Sequence, residues 1–315
     1  MKWLVVAFVA CILVVGVYSA DESVEWCYHD PSCNDTTWPT IVPKFCNGSR
    51  QSPINIVSAD ATADANLTNF TFTQFDNTSA LAEIINTGKT VKVNLRSGVR
   101  ISGGGLPEPY DSLQFHLHWG NGSSTRGSEH TVNGKSYPME MHIVNVKSSH
   151  NLNTTLAVND STGLAALGFF LEVDTSLPSN QPSSWRTLTS YLNNITLSGN
   201  VSSITNEISL DDLLTGVNRS KYYRYLGSLT TPSCNEAVVW TVFKEPIKIS
   251  SNLVDLFSTI LHINTTDASP LMVNVFRNVQ ESQPVTTQAR EETSDSPKAC
   301  ASLGLLALSL VLGKS

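Results

Sequence analysis

A single, mainly β domain with short helices is what this sequence predicts, and three observations predict it. Short runs rich in Val, Ile, Thr, Phe and Trp alternate with Gly, Asn and Pro turns. Helical periodicity is scarce, and no internal repeat divides the 315 residues. A chain of that length can bury one large core. Thr90–Leu95, Leu113–Trp119, Glu140–Val146, Leu164–Val173 and Ala237–Phe243 read as strands, because branched and aromatic side chains suit a pleated, half-buried surface. Ser184–Leu192, Asp211–Leu214 and Leu253–Leu261 read as short helices.

Both ends read as processing signals rather than as fold. Lys2 precedes an apolar run from Leu4 to Val17 with small residues at Ser19 and Ala20, the order of a secretory signal peptide, here residues 1–19. At the other end a polar stretch leads into the apolar tail Ala299–Leu312. Small residues near Ser294, a polar spacer and a terminal apolar tail form the pattern of a lipid-attachment (GPI) signal. The expected organisation is therefore a folded domain over residues 21–280, a polar stalk over 281–294, attachment at Ser294 and a propeptide over 295–315.

Export fits the remaining composition. Outside the two end segments stand four cysteines, Cys27, Cys33, Cys46 and Cys234, an even number suited to an oxidising compartment. No C-x-x-C pair points to a thiolate zinc site. Twelve N-x-S/T sequons, at Asn34, Asn47, Asn66, Asn69, Asn77, Asn121, Asn153, Asn159, Asn194, Asn200, Asn218 and Asn264, mark candidate glycosylation sites. A formal charge of −7 and the lack of a basic stripe argue against a nucleic-acid partner.

The chemistry lies in two of the predicted strands. With side chains alternating, Gln114, His116 and His118 share one face, opposite Phe115, Leu117 and Trp119. In the second strand Glu140, His142 and Val144 share a face. If the strands are neighbours, three imidazoles converge. Three neutral histidines leave a tetrahedral Zn2+ one open position, which is the layout of a catalytic site. Gln114 and Glu140, two residues before a histidine on the same faces, are placed to accept the outward N–H of a ligand ring. A lone H-x-H would more often be two polar residues on a half-buried strand; the third histidine with its acidic neighbour tips the reading toward metal. No H-E-x-x-H helix offers a protease-type zinc site instead.

Gln114–Trp119, Ser128-Glu129-His130, Glu140–His142, Ser228-Leu229-Thr230-Thr231-Pro232 and the opening Arg50-Gln51-Ser52-Pro53-Ile54-Asn55-Ile56 together resemble the α-class carbonic anhydrases in order and spacing. The resemblance spans about Trp26 to Arg277, and the cysteine placement and tail look most like the GPI-anchored type IV and XV members. It implies a large, twisted, mostly antiparallel sheet with zinc in a conical cleft. The implied activity is reversible hydration of carbon dioxide by water to bicarbonate and a proton, at the extracellular face of the plasma membrane. A catalytically weak binding ectodomain is the alternative. By resemblance His116, His118 and His142 would hold zinc. Thr230 would pass a hydrogen bond to Glu129 and so orient the attacking hydroxide, and Thr231 would touch bicarbonate. Val144, Leu164, Ala166, Leu229 and Trp240 would form the apolar wall for carbon dioxide. The resemblance also implies Cys27–Cys33 and Cys46–Cys234 bridges, the pairing that the nearness of the first two favours. No motif names a bicarbonate or proton transporter as partner.

Two positions depart from the family pattern. Lys89 stands where fast members carry a proton-shuttling histidine. A carrier works best with a pKa near the ambient pH, which suits His at ~6.5 and not Lys at ~10.4. His29, next to Tyr28 near the expected cleft rim, is a candidate substitute; the alternative reading is an exposed bystander. Asn278 replaces a usual proline after Arg277.

Overall fold

A computed structural model describes residues 25–205 and 208–289. The expected signal peptide, the attachment site Ser294 and the propeptide lie outside the described residues. Among those described, the chain forms a 13-stranded sheet and a separate two-stranded one, with a few short helices. Most strand pairs are antiparallel; Leu164–Val173 with Val238–Phe243 is a central parallel exception.

The predicted strands are present within a few residues of their expected limits: Val91–Leu95, Tyr110–Trp119, Met139–Lys147, Leu164–Val173 and Val238–Phe243. They lie side by side in that order across the middle of the sheet. Their alternation divides two cores. Phe115, Leu117, Met141, Ile143, Leu167 and Phe169 point into the larger cluster, whereas Leu164, Ala166, Phe170 and Trp240 belong to a second one on the other face. Leu164–Leu171 is buried throughout, so it reads as a continuous apolar run rather than as an alternation.

The three expected helices appear as Ser183–Ser190, Leu210–Leu213 and Ser251–Thr259. In the second, the Ser209 hydroxyl accepts from the Asp212 N–H while the Asp212 carboxylate accepts from the Ser209 N–H, which satisfies two otherwise orphaned donors. Three further turns of α-helix, Trp38–Ile41, Pro43–Cys46 and Thr154–Ala157, were not legible in the sequence; the first two start on or beside a proline, which is preorganised for a first turn.

One boundary needs correction. The polar run from residue 281 does not leave the domain as a stalk, because Thr286–Gln288 pairs antiparallel with Tyr222–Gly227 and parallel with Thr62–Asp64. All three residues are half-buried. A strand near the end of a sheet buries little apolar surface, so its composition resembles a linker while its backbone completes a ladder.

Both expected disulfides are formed. Cys27–Cys33 closes a tight N-terminal loop and Cys46–Cys234 spans 188 residues of sequence. None of the twelve sequon asparagines is buried. No helix among the described residues is long and apolar enough to cross a membrane.

Candidate metal centre

The register of the two central strands makes the site. His116 stands directly opposite His142, and His118 opposite Glu140. Cross-strand partners share a face, so three imidazoles meet, with one ring nitrogen from each lying within 4.8 Å of the others. On the far side, Gly168 is the partner of His142. A Cβ at Gly168 would come within 3.2 Å of Glu140 Oε1, so glycine leaves room for that carboxylate.

Each ring is oriented by an acceptor. His116 Nδ1 donates to Gln114 Oε1 at 3.0 Å, and His118 Nδ1 to the Val275 carbonyl at 3.0 Å. His142 Nε2 donates to Glu140 Oε1 at 2.8 Å. The lone pairs left to face one another are therefore Nε2, Nε2 and Nδ1. His118 Nε2 is buried and has no hydrogen-bond partner, a costly arrangement unless something coordinates it. Burial is the main cause holding all three rings toward their neutral form: His116 is pushed down to about 3, His118 well below and His142 below the usual imidazole value. Three neutral nitrogen donors with a fourth direction open suit zinc in a catalytic geometry.

Glu140 is the hub behind the ligands. Its Oε1 also accepts from His130 Nδ1 at 2.7 Å, and its Oε2 accepts from the backbone N–H groups of Glu129 and His130, each at 2.9 Å. Burial raises its pKa, but His130 and His142 outweigh that and hold it well below the usual range. The chain of bonds continues from His130 Nε2 to the Tyr225 hydroxyl at 2.6 Å, then to Ser52 Oγ at 2.9 Å, which accepts from the Ser228 N–H at 3.0 Å. It thereby ties the ligand strands to the segment carrying Thr230.

Glu129 is fully buried. Its Oε1 accepts from the Arg277 N–H at 2.8 Å. Burial raises its pKa well above the usual value, opposed by the Thr230 hydroxyl and the Arg277 N–H. Oε2 makes no hydrogen bond of ordinary geometry, and the neighbouring Thr230 hydroxyl favours the charged carboxylate.

A small pocket opens beside the histidines, lined by Val144, Leu164, Ala166, Leu229, Thr230, Thr231 and Trp240 with His116 and His142. All the residues expected to form the apolar wall are thus together. Val238 joins them; it belongs to the predicted strand, but nothing in the sequence singled it out. The wider cleft above contains Trp26, Tyr28, Lys89, Lys92, Gln114, His116, His118 and Thr231. Lys89 Nζ lies 4.6 Å above the Trp26 ring. His29 is exposed and lines an adjoining pocket that shares Lys89. Asn278 donates through its backbone and side-chain nitrogens to Asp35 Oδ2 at 2.8 and 2.9 Å.

Sequence reading missed the parts of the support that come from afar: Ser52, His130, Tyr225 and Arg277. Two of these stand inside quoted motifs, Ser52 in the opening run and His130 beside Glu129. Their adjacency to assigned residues was the available signal. Tyr225 and Arg277 carry no local one.

A β-sheet floor bearing three inward imidazoles, held by buried acceptors beneath an open cleft, defines a zinc enzyme of the hydrating or hydrolytic kind. The profile of the eukaryotic-type carbonic anhydrases matches residues 33–288. Carbonic anhydrase 4 of Oryctolagus cuniculus is 38% identical over 245 residues, covering 77% of this chain and 77% of the relative. Carbonic anhydrase 12 of Homo sapiens is 37% identical over 261 residues, covering 82% and 70%. Carbonic anhydrase 15 of Mus musculus is 31% identical over 326 aligned positions, covering 98% of both. The chain belongs to the eukaryotic-type carbonic anhydrase family, whose cofactor is zinc and whose substrates are carbon dioxide, water and bicarbonate.

Proposed function

We propose that this chain catalyses the reversible hydration of carbon dioxide at the extracellular surface of a membrane, with His116 and His118 (each through Nε2) and His142 (through Nδ1) holding the zinc. The observation that carries the reading is the buried, unpartnered His118 Nε2 facing the other two free ring nitrogens. Zinc, when bound, supplies a Lewis acid that makes water a nucleophile at neutral pH. The protein does the rest. Gln114, the Val275 carbonyl and Glu140 fix the tautomers, so that each ring presents a lone pair inward. The Thr230 hydroxyl, beside Glu129, can both accept and donate and so orients the attacking oxygen. Val144, Leu164, Ala166, Leu229, Val238 and Trp240 offer the apolar molecule a dry wall, and Thr231 meets the charged product at its polar edge.

The location rests on the leader-like N-terminus, the two disulfides and the unburied sequons, all features of exported chains. Ser294 and the apolar tail serve as the lipid-attachment signal. His116→Ala should lose zinc and hydration together, read by metal analysis and stopped-flow carbon dioxide hydration. Full activity in a zinc-free variant would sink the assignment. Phosphatidylinositol-specific phospholipase C should release the enzyme from cells, and an Ala299–Ser315 peptide still detectable on the mature chain would rule out the lipid anchor.

A further inference from the structure

The mouth of the cleft carries positive charge that no carboxylate in its own lining neutralises, and Glu25 lines the adjoining pocket that shares Lys89. Lys89 and Lys92 both line it, and no acidic side chain does. Lys92 is the register partner of His116 on the neighbouring strand, which sends its side chain out on the histidine face. Its charge is felt at His116. Among the described residues the Lys92 ammonium has no ion pair and no aromatic partner, and that of Lys89 has only the Trp26 ring. Four of the other described lysines meet acids: Lys135 and Lys248 meet Glu172, Lys147 meets Asp160, and Lys221 meets Glu245, while Lys44 and Lys244 lie over the Phe45 and Tyr223 rings. In a chain with 27 acidic and 20 basic residues, two uncompensated ammonium groups on one concave wall reverse the local sign. Gln114 adds neutral donors: its carbonyl oxygen is committed to His116, which leaves its amide N–H groups for the cleft it lines.

We propose that the cleft mouth is an anion subsite formed by Lys89 and Lys92 with the Gln114 amide, and that it takes small oxyanions of the bicarbonate or hydrogen phosphate type. Clefts lined by one sign of charge concentrate the opposite ion by ~10-fold or more. The subsite belongs to the lysines and does not depend on the metal. It shares the cleft with His116 and His118, so an oxyanion held there stands between the metal centre and solvent.

Trp26 is a built-in reporter. It is half-buried against Lys89, whereas Trp38, Trp119, Trp185 and Trp240 are 0%, 1%, 0% and 2% exposed. Fluorescence quenching by iodide, divided by quenching with neutral acrylamide at constant ionic strength, therefore measures anion enrichment at the mouth. The ratio should fall about twofold or more in Lys92→Gln, which keeps the Lys89–Trp26 contact, and further in Lys89→Gln/Lys92→Gln. Replacing chloride with phosphate, or separately with bicarbonate, should lower the wild-type ratio; the oxyanion effective at lower concentration is the preferred ligand. An unchanged ratio in both variants, or no competition by either oxyanion, overturns the subsite. Zinc-loaded and zinc-depleted protein should give the same ratio. An effect that vanishes with the zinc would move the anion onto the metal and refute the subsite while leaving the proposed reaction intact.

Discussion

Lys89 lines the cleft without touching the three histidines' free nitrogens, and we propose that it limits turnover from there. Water activated in the cleft must give up a proton every cycle, and lysine side chains already carry theirs at neutral pH. Stacked over Trp26 at 4.6 Å, this one is held at the wall of the passage. An imidazole at the same position would titrate near working pH. Lys89→His should therefore raise kcat in weakly buffered solution and leave kcat/KM, which reports the hydration step, nearly unchanged. Stopped-flow hydration across a buffer series checks both, and wild-type turnover indifferent to buffer concentration would contradict the account. Loss of the stacked cation should cost only ~0.5–1 kcal/mol of stability. Glu140 illustrates the opposite kind of residue. It never faces the cleft, yet four hydrogen bonds converge on it, and through them it positions His142.

At the scale of elements, the segment from Ser228 to Cys234 carries Thr230 and Thr231 and is clamped at both ends. Ser228 donates its N–H to Ser52 Oγ at 3.0 Å, and Cys234 is bridged to Cys46. The Leu229 N–H also bonds to the Asn235 carbonyl at 3.0 Å. Because the bridge closes 188 residues, it removes much of the freedom of the unfolded chain. Cys46→Ser/Cys234→Ser should lower stability by ~2–5 kcal/mol in urea unfolding. It should also reduce hydration by the protein that remains folded, since Thr230 lies only four residues before Cys234. Unchanged stability would mean that the terminal segment and the cleft wall are joined by other contacts. The helices contribute little to this frame; the longest described is Ser251–Thr259.

For the whole molecule, the cost of burying the site is a dependence on pH. In the unfolded chain histidines bind protons below ~6.5, whereas in the fold burial holds His116, His118 and His142 below that value, His118 well below and His116 at about 3. Below ~6.5 the unfolded state thus takes up more protons, and stability falls as pH falls. Glu140, with a depressed pKa, adds to the loss below the ordinary carboxylate range. Glu129 acts in the reverse sense, since its raised pKa lets the fold take up a proton first. One group against three histidines and Glu140 does not reverse the trend. The melting temperature of zinc-depleted protein should decline steadily from pH ~6.5 toward 4, and less steeply in His116→Ala. A flat profile would show that the rings are not held neutral.

The sequence alone determined the central strands, the facing of Gln114, His116 and His118, and the pairing of Glu140 with His142, because strand periodicity is local and each side chain's face follows from its neighbours. It also carried the cysteine count and the motifs by which the family could be named. Only tertiary structure decided that His116 stands opposite His142 and that Glu140 bonds His130 as well. The relay through Tyr225 to Ser52, and the seating of Arg277 on Glu129, join residues up to 173 and 148 positions apart. Such contacts arise from strand order and register, which pair elements distant in the chain and leave no mark on local composition. The strand Thr286–Gln288 was missed for the same reason: what makes it a strand is the ladder beside it rather than its own side chains.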